Sequence, residues 1–180
     1  MSKLRNHRGV SKGEFVNTAI DIRRKTLGFL SRLSARYARL LAEDTMHYAN
    51  VMVSQAEAAQ SMRPTDATRF ELRKKHLLEA RAAVNALDLN LEEVYQVLMM
   101  NPEGAFDDNR KTRKAKEKAD DARDIKKLER AEDAIQRLDK MSEELGCLID
   151  EELTLLTNLM DADRRDFKKA QQKAPQKPKA

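Results

Sequence analysis

The segment that decides the fold is residues 77–98, LLEARAAVNALDLNLEEVYQVL. Its apolar residues recur at alternating steps of three and four, at Leu77, Ala80, Val84, Leu87, Leu91, Val94 and Leu98. This spacing places every one of them on a single stripe of an α-helix and fits no β-strand. Because such a stripe must be buried against other helices, the segment predicts a helical bundle.

The composition of the whole chain favours the same architecture. Among 180 residues there are only five glycines and four prolines, and aromatic residues make up 4%. Few turns are therefore available, which favours long helices with short connections. The charged fraction of 36% is also typical of long amphipathic helices. We predict an all-α fold with an aliphatic core.

Capping and turn signals divide the chain into four helices. The first follows a capping box at Ser11–Glu14, and the second follows Ser34. Pro64 ends the second helix, and Thr65 or Asp66 caps the third. Short links at the first two joints predict an antiparallel up-and-down four-helix bundle.

One domain, residues 11–168, holds the predicted bundle. A charged connection over about 103–127 precedes the fourth helix, and its residue pattern leaves open whether it is helical or disordered. We predict a disordered basic arm at 1–10 and a disordered basic tail at 169–180.

The two ends of the chain and its cysteine bear on its location. The basic N-terminus is not followed by an apolar segment, and no apolar run approaches the roughly twenty residues of a membrane span. Cys147 is the single cysteine and cannot form an internal disulfide, which suits a reducing compartment. We expect a cytoplasmic protein with no membrane partner and with Cys147 packed in the bundle.

The sequence contains no motif typical of an enzyme. The nearest approach to the paired Glu-x-x-His motifs of di-metal bundles is Asp44-x-x-His47, which has no counterpart around His76. There is no glycine-flanked nucleophilic serine and no glycine-rich phosphate loop. We expect a protein that is not an enzyme and binds neither a metal nor another cofactor.

Two charged residues lie on apolar faces. Arg23 points between Ala19 and Leu30 of the first helix, and Glu152 flanks the stripe of the fourth helix. Since an unpaired buried charge is costly, we predict an Arg23–Glu152 ion pair that sets the register of these helices. The alternative is that Arg23 extends to solvent at the bundle edge.

The net charge is +5, with an isoelectric point near 9.3, which raises the odds of a polyanionic partner such as RNA or DNA. The candidate nucleic-acid-binding residues lie outside the apolar stripes; they are Arg24, Lys25, Arg32, Arg36, Arg39, Arg73, Lys74 and Lys75. Because aromatic residues are not interleaved with them, we expect contacts to the phosphate backbone. The alternative is a solvated surface charge without a specific partner.

Several short stretches resemble a known family. These are residues 13–23 (GEFVNTAIDIR), Arg36-Tyr37, Pro64-Thr65 and residues 150–153 (DEEL). They resemble the Avd-type accessory proteins of diversity-generating retroelements and, more remotely, the helical proteins encoded in ribosomal RNA intervening sequences.

The resemblance implies a basic four-helix bundle that assembles into a ring-like homo-oligomer, such as a pentamer. It also implies binding to a reverse transcriptase and its template RNA, in support of mutagenic cDNA synthesis and without catalysis. The alternative function is a helical scaffold or assembly protein of a mobile element, with no specific nucleic-acid role.

Overall fold

The computed structural model describes residues 13–106 and 121–173, with side chains of the last helix described from Leu128 to Gln172. It confirms the predicted all-α fold. In chain order the α-helices are α1 (Glu14–Leu30), α2 (Ala35–Ser61), α3 (Ala67–Met99) and α4 (Asp121–Lys173). A 3₁₀ turn, Pro102–Gly104, follows α3. Within the described ranges, no helix combines the length and apolarity that crossing a membrane would require.

Each helix packs antiparallel against the next one along the chain, and α4 also packs against α1. The direction is clearest for α3 and α4: Arg73 near the start of α3 contacts Asp163 near the end of α4, whereas Tyr95 near the end of α3 contacts Asp139 in the first half of α4. This is the up-and-down topology expected from the short links.

The core contains the stripe of residues 77–98. All seven apolar residues of that stripe are buried, with Leu77 at 1% exposure and Leu91 at 6%. The five from Leu77 to Leu91 share one buried cluster with Ile22 of α1 and Ile149 of α4. Val94 and Leu98 belong to a second cluster, with Phe29 of α1 and Leu138 of α4. Completely buried alanines on the other helices, such as Ala49, allow close approach of the helix backbones. The periodicity of α3 therefore predicted its buried face correctly.

The helix ends agree with the capping signals in part. Asp66 is the N-cap of α3, and its carboxylate accepts a hydrogen bond from the backbone N–H of Arg69. The residue at the N-cap of α1 is Gly13, and Ser11 of the predicted capping box lies outside the described residues.

The bounds of α4 differ from the prediction. This helix is already formed at Asp121, inside the predicted connection 103–127, and it continues to Lys173, past the predicted domain end at 168. The arm 1–10 and residues 107–120 lie outside the described part of the chain, as do residues 174–180 of the predicted tail.

Cys147 is exposed, so the prediction of a packed thiol was wrong. Its neighbours Leu145 and Ile149 are buried. Two residues correspond to about 200° around a helix, so Cys147 faces away from both.

A short segment after the 3₁₀ turn ties one end of the bundle together. The Ser34 N–H donates to the Ala105 carbonyl oxygen at 2.9 Å, and Leu33 forms an antiparallel bridge with Phe106. Ala105 is completely buried, and the Phe106 ring meets the Phe29 ring edge-on at 6.3 Å. The α3–α4 connection is thereby fastened to the α1–α2 connection, with Phe106 beside the C-terminal end of α1.

Candidate nucleic-acid interface

The predicted cations on α1 are engaged in exposed ion pairs. Arg24 contacts Asp21 of its own helix at 3.2 Å, and Lys25 contacts Glu144 of α4 at 3.0 Å. The hydrogen bond and charge of Lys25, together with the charge of Lys140, lower the pKa of Glu144 below its ordinary value. Glu144 is therefore a carboxylate at neutral pH, and it offsets part of the positive charge around Lys25.

Arg73 does not belong to a nucleic-acid-binding surface, so that prediction was wrong. It is only 8% exposed, and its Nε donates to Asp163 of α4. Its Nη1 donates to the carbonyl oxygens of Ala59 and Met62, the latter at 2.8 Å. These carbonyls belong to the C-terminal end of α2, where a cation also interacts favourably with the helix dipole. Arg73 thus joins three helices inside the bundle.

The other two predicted cations on α3 are exposed but paired. Lys74 contacts Glu71 at 3.3 Å, and Lys75 contacts Glu79 at 3.7 Å. Each acid lies on the same helix, so the outer face of α3 carries charges of both signs. These lysines do not form a positive surface of their own.

The remaining predicted cations, Arg32, Arg36 and Arg39, are exposed at the joint between α1 and α2. None of the three has an ion pair with another described residue. The Arg36 guanidinium lies 5.9 Å from the centre of the Tyr37 ring. The α2 N-terminus begins here with no side-chain cap from Ser34, so its positive helix end adds to the same field.

A cleft between α1 and α4 brings further cations to this end of the bundle. Its volume is about 380 Å³, and its charged lining is Lys25, Arg32, Arg137, Lys140 and Glu144. Arg137 and Lys140 were not predicted as binding residues. They come from the fourth helix, and only the antiparallel register places them opposite Arg32 and Lys25.

Aromatic side chains also line this cleft, which the sequence pattern did not suggest. Phe29 and Phe106 both contribute, and the Arg137 guanidinium lies 5.7 Å from the centre of the Phe106 ring. Phe106 follows the turn signal at 101–104 and reaches the cleft only through the bridge between Leu33 and Phe106. The cleft therefore combines cationic side chains with aromatic rings.

The predicted Arg23–Glu152 ion pair does not form. The Arg23 Nε donates to the Asn50 Oδ1 of α2 at 2.6 Å, and both Glu152 carboxyl oxygens are buried without a hydrogen-bond partner. The helix register explains the difference: Lys25 lies opposite Glu144, so Arg23 is level with Gly146. Glu152 is six residues farther along α4, about 9 Å at the helical rise.

Glu152 instead stands alone in the core between Ile149 and Leu156. It is 0% exposed, and burial raises its pKa to about 8, with a smaller contribution from the charge of Glu151. At neutral pH this side chain is therefore mainly the uncharged acid. Within the described residues, no group of three or more His, Cys, Asp or Glu side chains is arranged to hold a metal ion.

Replacing Arg23 by alanine is expected to lower the free energy of unfolding by only about 1 kcal/mol, since it removes one exposed hydrogen bond to Asn50. We expect the effects of Arg23→Ala and Glu152→Gln to be additive to within about 0.5 kcal/mol in the double variant, because the two residues share no contact. Urea denaturation of the two single variants and the double variant measures this. A coupling energy above about 1 kcal/mol between the two substitutions would contradict this result and support an Arg23–Glu152 ion pair.

No protein-family model matches the chain, and neither the characterised proteins nor the solved structures compared with it gave a match.

Proposed function

We propose that this bundle is a non-enzymatic protein that binds the phosphate backbone of nucleic acid. The observation that carries the proposal is the basic end of the bundle, which we define as Arg32, Arg36, Arg39, Arg137 and Lys140. Arg32, Arg137 and Lys140 line the α1/α4 cleft, and Arg36 and Arg39 are exposed near the start of α2, next to the α1–α2 joint.

The side chains of the basic end are suited to binding phosphate. Arginine presents several donors in a planar fork that matches phosphate oxygens, and three of the five have no ion pair to give up among the described residues. Arg137 contacts Asp133, and Lys140 contacts Glu144 at the longer distance of 3.9 Å. Binding of this kind depends on salt and is largely independent of sequence.

The resemblance to Avd-type proteins supports a more specific proposal. In it, the nucleic acid is the template RNA of a diversity-generating retroelement, and the bundle acts in the cytoplasm with a reverse transcriptase as an accessory in mutagenic cDNA synthesis. The active form would be a ring-like homo-oligomer. The basic end would then be repeated around the ring, and several weak phosphate contacts would act together.

One observation favours the second candidate, a helical scaffold of a mobile element without a specific nucleic-acid role. Five of the eight cations predicted from sequence, Arg24, Lys25, Arg73, Lys74 and Lys75, have acidic partners. For these residues the charge is compensated by the bundle itself. The two candidates differ in whether the basic end binds nucleic acid at moderate salt.

The test is salt-dependent binding of an RNA hairpin with hydroxyl groups at both ends. We expect the logarithm of the association constant to fall linearly with the logarithm of salt concentration. Replacing Arg32, Arg36 and Arg39 together by glutamine should make this slope shallower by about one unit per cation that contacts a phosphate.

The matched control is Lys74→Gln with Lys75→Gln, which removes two exposed but paired cations and should leave the slope unchanged. Fluorescence anisotropy at several salt concentrations measures both variants. Absence of hairpin binding at low salt, or equal slopes for the two variants, would contradict the proposal and favour the scaffold.

A further inference from the structure

The α1/α4 cleft is bounded at both ends. At one end Lys25 and Glu144 bridge the two helices at 3.0 Å. At the other end, which is level with Arg32 and Arg137 in the helix register, Phe106 is fastened by the bridge to Leu33. A strand that lay on the floor of the cleft would meet a side-chain contact at each end, whereas the outer side of the cleft is open. The cleft therefore suits a group that enters from outside and ends there.

The charge of the cleft matches a dianion. Lys25, Arg32, Arg137 and Lys140 bring four positive charges, and Glu144 is shared between the two lysines at 3.0 and 3.9 Å. Arg137 is also offset by Asp133. Two positive charges remain uncompensated by these acids. A phosphomonoester carries about −1.5 to −2 charges at neutral pH, whereas each internal phosphate of a nucleic acid carries one.

The cleft also offers a place for a base next to the phosphate. The Arg137 side chain is 49% exposed, and its guanidinium lies over the Phe106 ring. An arginine plane supported in this way is a stacking surface for an unpaired base. The volume of about 380 Å³ lies near the lower limit of small-ligand sites, roughly 300 Å³, which is suitable for one nucleotide.

We propose that the α1/α4 cleft binds the phosphorylated terminal nucleotide of a single-stranded nucleic acid. The cations hold the terminal phosphate, and the Arg137–Phe106 pair stacks with the terminal base. This inference rests on the proposed nucleic-acid-binding function and makes it more specific: within the basic end, Arg36 and Arg39 bind backbone phosphates, and the cleft selects a chain end.

The experiment compares three internally labelled twelve-nucleotide RNAs of one sequence: with a 5′-phosphate, with a 3′-phosphate, and with hydroxyl groups at both ends. We expect one phosphorylated RNA to bind roughly tenfold more tightly than the hydroxyl-ended RNA, the gain given by about 1.4 kcal/mol of charge-assisted hydrogen bonding. The end that gives the gain identifies whether the cleft binds the 5′ or the 3′ terminus.

Two variants place the effect in the cleft. Arg32→Gln with Lys140→Gln should abolish the preference for the phosphorylated end, and circular dichroism checks that the helices are retained. Lys74→Gln with Lys75→Gln should keep the preference. Inorganic phosphate should weaken binding of the phosphorylated RNA more than binding of the hydroxyl-ended RNA.

The outcomes separate the inference from the proposed function. Equal affinity for all three RNAs would overturn the inference and leave the function in place. A preference that persists in the Arg32 and Lys140 variant would overturn the assignment to this cleft. Failure to bind any of the three RNAs, together with the hairpin, would overturn both.

Discussion

Replacing Arg73 by alanine is expected to lower the free energy of unfolding by about 3–5 kcal/mol, the cost of breaking a buried ion pair by removing one partner. The side chain is 9% exposed, and the Asp163 side chain that it contacts is 16% exposed. Without Arg73, the Asp163 carboxylate stays in a largely buried position with no described counter-charge. We expect Arg73→Ala to be the most destabilising alanine substitution among the eight cations predicted to bind nucleic acid.

Arg73→Ala also removes hydrogen bonds to the C-terminal end of α2. The Arg73 guanidinium also donates to the carbonyl oxygens of Ala59 and Met62, which lie at the end of that helix. Ala59 is completely buried, so water cannot readily replace the arginine there. A lysine has no planar fork and cannot reproduce contacts with all three acceptors, so Arg73→Lys should recover only part of the lost stability.

Thermal and urea denaturation measure this effect, and Lys74→Ala is the matched control on the adjacent, exposed position. The control is expected to change the free energy of unfolding by less than about 0.5 kcal/mol. A double-mutant cycle with Asp163→Asn should show a coupling of more than 1 kcal/mol between Arg73 and Asp163. Similar stabilities for Arg73→Ala and Lys74→Ala would contradict the structural role.

The stability of the protein is expected to decrease as the pH rises from about 4.5 to about 8, because Glu152 is buried as an acid. Its folded-state pKa of about 8 lies above its ordinary value of 4.5. Between these values the folded protein holds a proton that the unfolded chain has released, so raising the pH favours unfolding. The stabilisation from the protonated Glu152 is complete below pH 4.5 and is lost as the pH rises to about 8; it amounts to about 5 kcal/mol in total.

Glu152→Gln should remove this part of the pH dependence, because glutamine remains uncharged throughout. The measurement is the free energy of unfolding in urea at pH 5, 7 and 9 for the wild type and the variant. We expect the variant to gain stability relative to the wild type as the pH rises, by several kcal/mol between pH 5 and pH 9.

The control for Glu152 is Glu151→Gln, which changes an exposed carboxylate next to it. Removing the charge of Glu151 relieves only the smaller cause of the raised pKa, so most of the pH dependence should persist. Asp88, whose pKa is also raised by burial and by Asp150 and Glu92, remains in both variants. An unchanged pH profile in Glu152→Gln would mean that Glu152 does not titrate as the structure indicates.

The helical periodicity of α3 indicates that Arg73 is buried, but it does not identify the residue with which Arg73 pairs. The alternating steps of the stripe, extended backwards from Leu77 by four residues, fall on Arg73, whereas Lys74 and Lys75 fall outside it. That signal would have separated Arg73 from Lys74 and Lys75, with which our prediction grouped it. Its partner Asp163 could not be identified in the same way, because it lies 90 residues away on another helix.

For Arg23 and Glu152, the sequence predicted the helix face on which each residue lies more accurately than it predicted the residue that each contacts. Glu152 is indeed on the buried face of α4, and Arg23 is half-buried. The ion pair failed because its two members differ by about 9 Å along the α1/α4 register. Helical periodicity determines the direction of a side chain around its own axis, but it contains no information about the height of one helix relative to another.

The amino-acid sequence by itself determined the four helices, the buried stripe of α3 and a cap of α3 at Thr65 or Asp66, because periodicity and capping depend on residues within a few positions of one another. Only the tertiary structure decided the basic end and its cleft. Lys25 and Glu144, which close the cleft, are 119 residues apart. Their meeting depends on the packing of all four helices, which sets the register that brings Arg137 and Lys140 of α4 opposite α1.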